Sequence, residues 1–477
     1  MYLFSLRRLL KRVFKYGGIA VLVAAVPLTA ISLTLRWQAE RALEAKVQEL
    51  REAGVPTTPE ELNAMYRPAP DIPDAGETFA AIAQSIDTYD CDELSKEQES
   101  LLPIMGPVRE CAHSPLPPES LQQLKVTLVA LAAPLAQAES LLDSRPVLFR
   151  KFEFPLGDIG HHGDTRAVIR LMSMAGLLAA EEHDANRVGL AWLRGWRVGE
   201  VMQAEPGLLP ALTHSGNAGV MLENMRIFLN RIAVPAHNLQ QWQAALLDDK
   251  LGDRLKRIVH GEVVYTLEAH HLMQSDVRAR LDYFLEGFDY PDTLFDASFA
   301  FAKAEILAES TQATASLLGT YLEYAKLTSL SRNELSKRFY AMYYDDSRDG
   351  VHDGESNDAQ PNYVDDHFDL ILHREEPKRL LAVLACGVEL YIAEHGAPPE
   401  SLDALTEAHV PQAIIDPNTG KAFLYERTPQ GYVLRSEAAK ECGKFDAEEE
   451  EDCYNECTLH DLVLEVRRPE LAVALAG

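Results

Sequence analysis

Residues 164–201 read DTRAVIRLMSMAGLLAAEEHDANRVGLAWLRGWRVGEV, and their periodicity decides the fold class. Apolar side chains recur at Val168, Leu171, Ala175, Leu178 and Ala179, three or four residues apart, which is the spacing of one helical face. Asp164 stands where an N-cap is expected, since its carboxylate can accept from the first free backbone N–H groups. His183-Asp184-Ala185-Asn186 breaks the pattern, and a second apolar face follows at Val188, Ala191, Trp192, Gly195, Val198 and Val201. Helices joined by so short a break fold back on one another, so the segment is predicted to be an αα-hairpin, the unit of helical arrays.

The same period extends outward. It predicts helices over roughly 208–233, 239–248, 253–286 and 297–342, with almost no alternating strand pattern before residue 375. No fixed repeat length emerges, so the body is array-like without being a regular solenoid. Towards the N-terminus, residues 55–75 are rich in proline. Within them Thr58-Pro59-Glu60-Glu61 has the form of a capping box, with proline at the first helical position, and opens a short helix through Met65.

Beyond the body the pattern changes. Residues 344–369 carry Asp345, Asp346, Asp349, Asp353, Asp358, Asp365, Asp366 and Asp369 and read as an acidic loop. A helix over Pro377–His395 is expected to stop at Gly396, with a short helix at Ser401–Glu407 and a turn at Asp416-Pro417-Asn418-Thr419-Gly420 after it. Ala422–Arg427 and Gly431–Arg435 read as strands joined by Thr428-Pro429-Gln430, and Asp461–Arg467 as a last strand.

Within 379–435, Leu390-Tyr391, His395-Gly396, Pro399-Glu400-Ser401-Leu402, Leu405, Asp416-Pro417, Thr419-Gly420, Phe423, Tyr425 and Gly431-Tyr432 carry a resemblance. The segment resembles the globular part of type II secretion pseudopilins and the pilin-like tails of uncharacterised bacterial envelope proteins. The resemblance implies a long helix packed on a small antiparallel sheet. In pseudopilins the hydrophobic helix runs directly into this unit, whereas here the whole helical body intervenes.

The first 36 residues hold Arg7, Arg8, Lys11, Arg12, Lys15 and Arg36 and no acid. Gly17–Leu35 is uncharged throughout and, as a helix, spans about 28 Å, close to the hydrocarbon thickness of a bilayer. Tyr16 and Trp37 bracket it at interfacial depth, and the five preceding cations are expected to stay cytoplasmic, sending the bulk outward. Arg36–Gly54 continues as an amphipathic stalk with Leu43, Val47 and Leu50 on one face. A cleaved signal peptide, cut near Ala30-Ile31-Ser32, is the alternative. The expected organisation is therefore a leader and transmembrane anchor (1–36), a stalk and linker (37–75), a helical body (76–343), an acidic loop (344–376) and an α+β pseudopilin-like tail (377–477). The fold class is mainly α, and the expected location is the bacterial inner membrane with the bulk periplasmic.

The whole chain carries a net charge of −28, and beyond residue 36 it holds 39 basic against 73 acidic residues. Such a body repels phosphate backbones, which disfavours nucleic acid as a partner; the membrane and other envelope proteins are the expected ones. Cys386 sits in an apolar helical run and reads as a buried thiol. Cys91, Cys111, Cys442, Cys453 and Cys457 lie in loops and fit an oxidising compartment, with pairing left open.

Three patterns carry candidate chemistry. Glu268 and His271 share a helical face in the Glu-x-x-His spacing of carboxylate-bridged metal sites, with His260 and Glu262 upstream; His260, Glu268 and His271 form the candidate metal set, against a solvated or core-edge histidine pair. Gly160-His161-His162-Gly163-Asp164 reads as a loop whose histidines and aspartate can bind a metal or simply precede a cap. Asp345-x-Ser347-x-Asp349-Gly350 copies the first half of a calcium loop, but Ser356 stands where a bidentate glutamate is needed. The chain lacks His-Glu-x-x-His, Gly-x-Ser-x-Gly, P-loop, Gly-x-Gly-x-x-Gly and Ser-x-x-Lys patterns. Three functions remain in view: an envelope scaffold or interaction protein, a metal-dependent extracytoplasmic enzyme, or an accessory of a secretion or pilus-like machine. No cofactor is named by the residues.

Overall fold

The computed structural model describes residues 30–31, 33–67, 79–85, 115–144, 160–248, 251–275, 311–328, 330, 368, 370–411, 414–438 and 462–468. Along them run helices α1 (33–52), α2 (Pro59–Tyr66), α3 (79–85), α4 (Pro118–Ala130), α5 (Ala132–Asp143), α6 (Gly160–Glu181), α7 (Ala185–Gln203), α8 (Leu208–Arg231), α9 (Ala236–Asp248), α10 (Leu251–Ser275), α11 (311–327) and α12 (Glu376–His395). Strands β1 (Leu424–Thr428), β2 (Gly431–Arg435) and β3 (Val463–Arg467) form one antiparallel sheet in the order β1-β2-β3. The chain is mainly helical with a small sheet, as its period predicts.

The hairpin at 164–201 forms, and its turn is tighter than its sequence suggests. The His183 N–H donates to Ala180 O and the Asp184 N–H to Ala179 O, the paired bonds of a Schellman motif. His183 takes the left-handed position, at φ 57°, usually given to glycine. Asp184 then caps α7 by accepting from the Arg187 N–H at 3.1 Å. One residue closes a helix and opens the next, which is why α6 and α7 pack side by side. Every apolar position named from the period on both helices is buried. Where the two helices face α8 and α9, Trp192 stacks on Trp196 at 5.4 Å and meets Trp242 at 4.7 Å. Both buried indole N–H groups are satisfied, Trp192 by Met221 O and Trp242 by Gly189 O.

The start of α6 departs from expectation. Gly160-His161-His162-Gly163-Asp164 is the first turn of the helix, not a loop before it, so Asp164 lies inside and is not the N-cap. Two glycines in five residues read as a breaker, but Thr165 and His162 are tied into the packing against α8 and hold the turn helical. His162 Nδ1 lies 2.8 Å from Thr213 Oγ1, and the Asn217 amide donates to Thr165 Oγ1. The predicted helix at Ser401–Glu407 is likewise reduced to a 3-10 turn at Leu402–Ala404, after which Leu405 is extended.

The chain divides into two compact units, with the boundary falling inside α10 after Ile258. The smaller gathers the described parts of Met1–Met65 and Val259–Lys326. Leu50, Leu62, Val263, Val264 and Leu318 are buried in it. The stalk face is seen here: Leu50 is buried while Leu43 and Val47 are half-buried. The capping box forms in a modified way. Thr58 Oγ1 accepts from the Glu61 N–H, but Glu61 returns the bond to Thr57, accepting from its N–H at 2.7 Å. That contact, chiefly, holds the Glu61 carboxyl below its ordinary range.

The larger unit has one continuous core running from α3 through α4–α9 to α12 and the sheet. α12 follows a π-helical turn at Leu370–Glu375 and ends at Gly396, whose left-handed conformation (φ 77°) stops the helix. Tyr432, Leu434, Leu464 and Val466 point inward from β2 and β3, paired across the strands as Tyr432–Val466 and Leu434–Leu464. Asp416 is wholly buried in its turn, where it accepts from the Asn418 N–H and from the hydroxyls of Thr419 and Ser436. Side-chain amides join the sheet and α12 to the helices. Asn230 of α8 donates to Glu465 O at 2.9 Å and accepts from the Arg467 N–H at 2.6 Å. Gln243 of α9 donates to Val383 O and His409 O.

Most of the uncharged run Gly17–Leu35 lies outside the described residues, as do residues 344–367 of the acidic loop with its half calcium motif and all cysteines except Cys386; the end of the predicted loop, 370–376, is helical. No single helix among the described residues is long and apolar enough to cross a membrane, although α4 and α5, bent by 73°, pass that test as a pair.

Candidate functional site

The three metal candidates all lie on α10, and the helix separates them. Glu268 and His271 come together, with His271 Nδ1 3.7 Å from Glu268 Oε1 on a largely exposed face. His260 is buried and sits eight and eleven residues upstream, about 12 and 16 Å along the axis at the rise of a helix. One ion does not reach from His260 to the other two. The better-placed neighbour is His270, which is buried with Nδ1 3.3 Å from Thr314 Oγ1 of α11. Burial first, and the adjacent His271 second, hold the His270 imidazole below its ordinary pKa.

In the larger unit, polar side chains converge where α8, α10 and the π-helical turn meet. Glu375, the last residue of that turn, is almost wholly buried and its two oxygens are divided between partners. Oε1 takes a short hydrogen bond from Arg254 Nη1, and Oε2 takes one from Ser215 Oγ. His214 Nε2 stands 3.8 Å from Oε1. The imidazole is itself fixed, with Nδ1 2.9 Å from Gly199 O and Nε2 2.8 Å from the Gln203 amide. The approach to Gly199 is close: a Cβ added there would stand 3.2 Å from the ring, a tight contact. In the same unit His162 Nε2 lies 3.8 Å from Glu205 Oε2.

Serine, histidine and glutamate are all present, but their arrangement is not a nucleophile relay. The Ser215 hydroxyl faces the glutamate and not the imidazole, and both imidazole nitrogens are already held by Gly199 O and the Gln203 amide. What the cluster does is cross-link. A buried pair of this kind is costly to break because one partner's charge is left without compensation. Two further buried pairs act in the same way. Arg379 holds Glu376 through two bonds of 2.8 Å and reaches Leu246 O of α9, while Arg468 and the Tyr432 hydroxyl share Glu389. Burial, with the Glu389 charge second, raises both the Tyr432 phenol and the Cys386 thiol well above their ordinary ranges. Cys386 is thus the inert core thiol its sequence context predicts.

Comparison of the chain with protein-family models, curated proteins and solved structures finds no match. The chemistry therefore has to be read from the side chains themselves.

One group escaped the sequence reading. At the end of α12, one ligand atom each from Glu394, His395 and His409 lies within 4.8 Å of the others. Glu394 and His395 are exposed and His409 is buried. His409 Nε2 stands 3.1 Å from Glu394 Oε2, and its Nδ1 stands 3.1 Å from the Thr406 N–H donor and 3.0 Å from Thr406 Oγ1. His395 Nδ1 lies 3.1 Å from Tyr391 O, and its ring stacks on Tyr391 at 4.0 Å. The signal available beforehand was the helix stop at His395-Gly396; nothing in the spacing pointed to His409.

Proposed function

We propose that the chain is a membrane-anchored, extracytoplasmic scaffold of the bacterial envelope that presents a rigid helical body with a pilin-like α+β segment. The observation that carries the anchor is the apolar collar at the start of α1. Ile31, Leu33, Leu35 and Trp37 are each more than half exposed, on a helix whose Ala39 and Leu50 are buried. Large apolar side chains do not stay in water on this scale along one short stretch without a partner surface. They continue the uncharged run Gly17–Leu35, and the collar ends where Arg41 covers the Trp37 ring at 4.2 Å. An aromatic residue beside a cation is the usual boundary of a membrane segment.

The scaffold half of the reading rests on rigidity. Three buried ion pairs and the Asn230 and Gln243 amides tie α8, α9, α10, α12 and the sheet into one core, which suits a platform more than a moving enzyme. The acidic body favours basic envelope proteins as partners. The test is topological. A periplasm-active reporter fused after Gly54 should be active and a cytosol-active one silent, and deletion of residues 17–35 should release the protein from membranes. A reporter active only in the cytosol would end the proposal.

A further inference from the structure

We propose that Glu394, His395 and His409 form a zinc site at the C-terminal end of α12. The ligand set is two imidazoles and one carboxylate, which suits zinc among the common divalent ions and leaves a fourth tetrahedral position for water. The spacing between its atoms already suits an ion. Zinc bonds to nitrogen and oxygen of about 2.0–2.2 Å require an N···O edge of roughly 3.3 Å in a tetrahedron. The observed distance from His409 Nε2 to Glu394 Oε2 is 3.1 Å, and one ligand atom from each of the three residues lies within 4.8 Å of the others.

Three surrounding features favour a cation there. The site lies at the carbonyl end of a long helix, the negative pole of its dipole. The Tyr391 carbonyl accepts the His395 Nδ1 proton, leaving that ring's lone pair on Nε2, an arrangement typical of metal-bound histidine. His409 is held rigidly: its carbonyl accepts from Gln243, and its own N–H donates to Thr406 O. With two ligands exposed and one buried, an ion has both a way in and a fixed anchor.

In the metal-free state the Thr406 N–H points at Nδ1, so the His409 proton is on Nε2 and is donated to Glu394. Zinc at Nε2 displaces that proton; the neutral ring then carries its proton on Nδ1, where the Thr406 hydroxyl 3.0 Å away accepts it and the Thr406 N–H gives up its bond to the ring. The ion replaces the Glu394–His409 hydrogen bond and exchanges the Thr406 N–H bond to the ring for one to the Thr406 hydroxyl. A carboxylate–histidine contact whose carboxylate is exposed contributes little as a mere tie, so the convergence of a third ligand is what the ion explains. This inference does not depend on the anchor.

The experiment uses the full chain, freed of metal with a chelator and titrated with cobalt(II) as the visible zinc surrogate, then competed with zinc. The expected result is one equivalent bound with the absorption of a tetrahedral nitrogen–oxygen site and without a thiolate charge-transfer band, which would mark the cysteines. Glu394→Gln and His395→Ala change exposed side chains, so their melting curves in chelator should match the parent. Each should nonetheless weaken binding at least tenfold, since even outer-shell losses cost 10–100-fold. No stoichiometric uptake, a thiolate band, or affinity unchanged in both variants would overturn the site.

Discussion

Arg254 carries the clearest energetic prediction. Its guanidinium and the Glu375 carboxylate are both almost excluded from water, and Glu375 also accepts from Ser215. Replacing Arg254 by methionine keeps the length of the side chain and leaves a buried carboxylate with a hydroxyl and an imidazole for company. Breaking such a pair from one side costs about 3–5 kcal/mol. Glu375→Gln takes a charged partner from the buried guanidinium and should cost a similar amount. For a unit of this size each kcal/mol lowers the midpoint by about 2–4 °C, so each single variant should melt roughly 6–20 °C below the parent. Removing both charges together removes the reason for the penalty. Arg254→Met/Glu375→Gln is therefore expected to melt no lower than either single variant, a coupling of several kcal/mol. Thermal unfolding followed by far-ultraviolet circular dichroism measures all four proteins. Single effects under about 2 °C, or a double variant showing the sum of the two, would refute the view that this contact is a buried charge pair.

Other consequences are simpler. Gly431→Ala should destabilise the sheet by about 1–3 kcal/mol, because the new Cβ would stand 2.0 Å from the Val466 carbonyl oxygen, which belongs to backbone and cannot swing away; a chemical-denaturation midpoint equal to the parent's would contradict that packing. Glu61 is an acid whose folded pKa is depressed, so its contribution is present above the ordinary value of 4.5 and is lost as pH falls through the lowered folded value. The Thr57 amide resonance should report that step, and Glu61→Gln should abolish it. Cys386, buried with its pKa raised, should resist alkylation in the native protein and label only on unfolding; rapid native labelling of its peptide would place the thiol at the surface instead.

How much of this was legible in the sequence depends on the range of the interaction. The hairpin at 164–201 was legible because its information is local: a 3.6-residue apolar face on each side of an aspartate able to cap. Strands β1 and β2 were legible for the same reason, with the polar turn Thr428-Pro429-Gln430 between the two segments, although Thr428 itself belongs to β1. The start of α6 was not, since its two glycines argue locally for a break and only contacts with Thr213 and Asn217, about 50 residues away, outweigh them. The Glu375 cluster joins residues 121 and 160 positions apart, and no spacing rule reaches that far. His260, Glu268 and His271 show the converse. Their proximity in sequence suggested one site, and the rise of a straight helix pulls His260 away. The zinc ligands Glu394 and His395 are neighbours, but His409 joins them only because the chain turns back at Gly396.

Asn230 has a consequence for what the small sheet can recruit. An outermost strand ordinarily offers its free N–H and C=O groups to any peptide that can lie alongside. On β3 the place between Glu465 and Arg467 is filled by one side-chain amide, which gives and receives a hydrogen bond as a further strand would. A foreign peptide seeking to lengthen the sheet along β3 has first to evict Asn230 and with it the grip of α8.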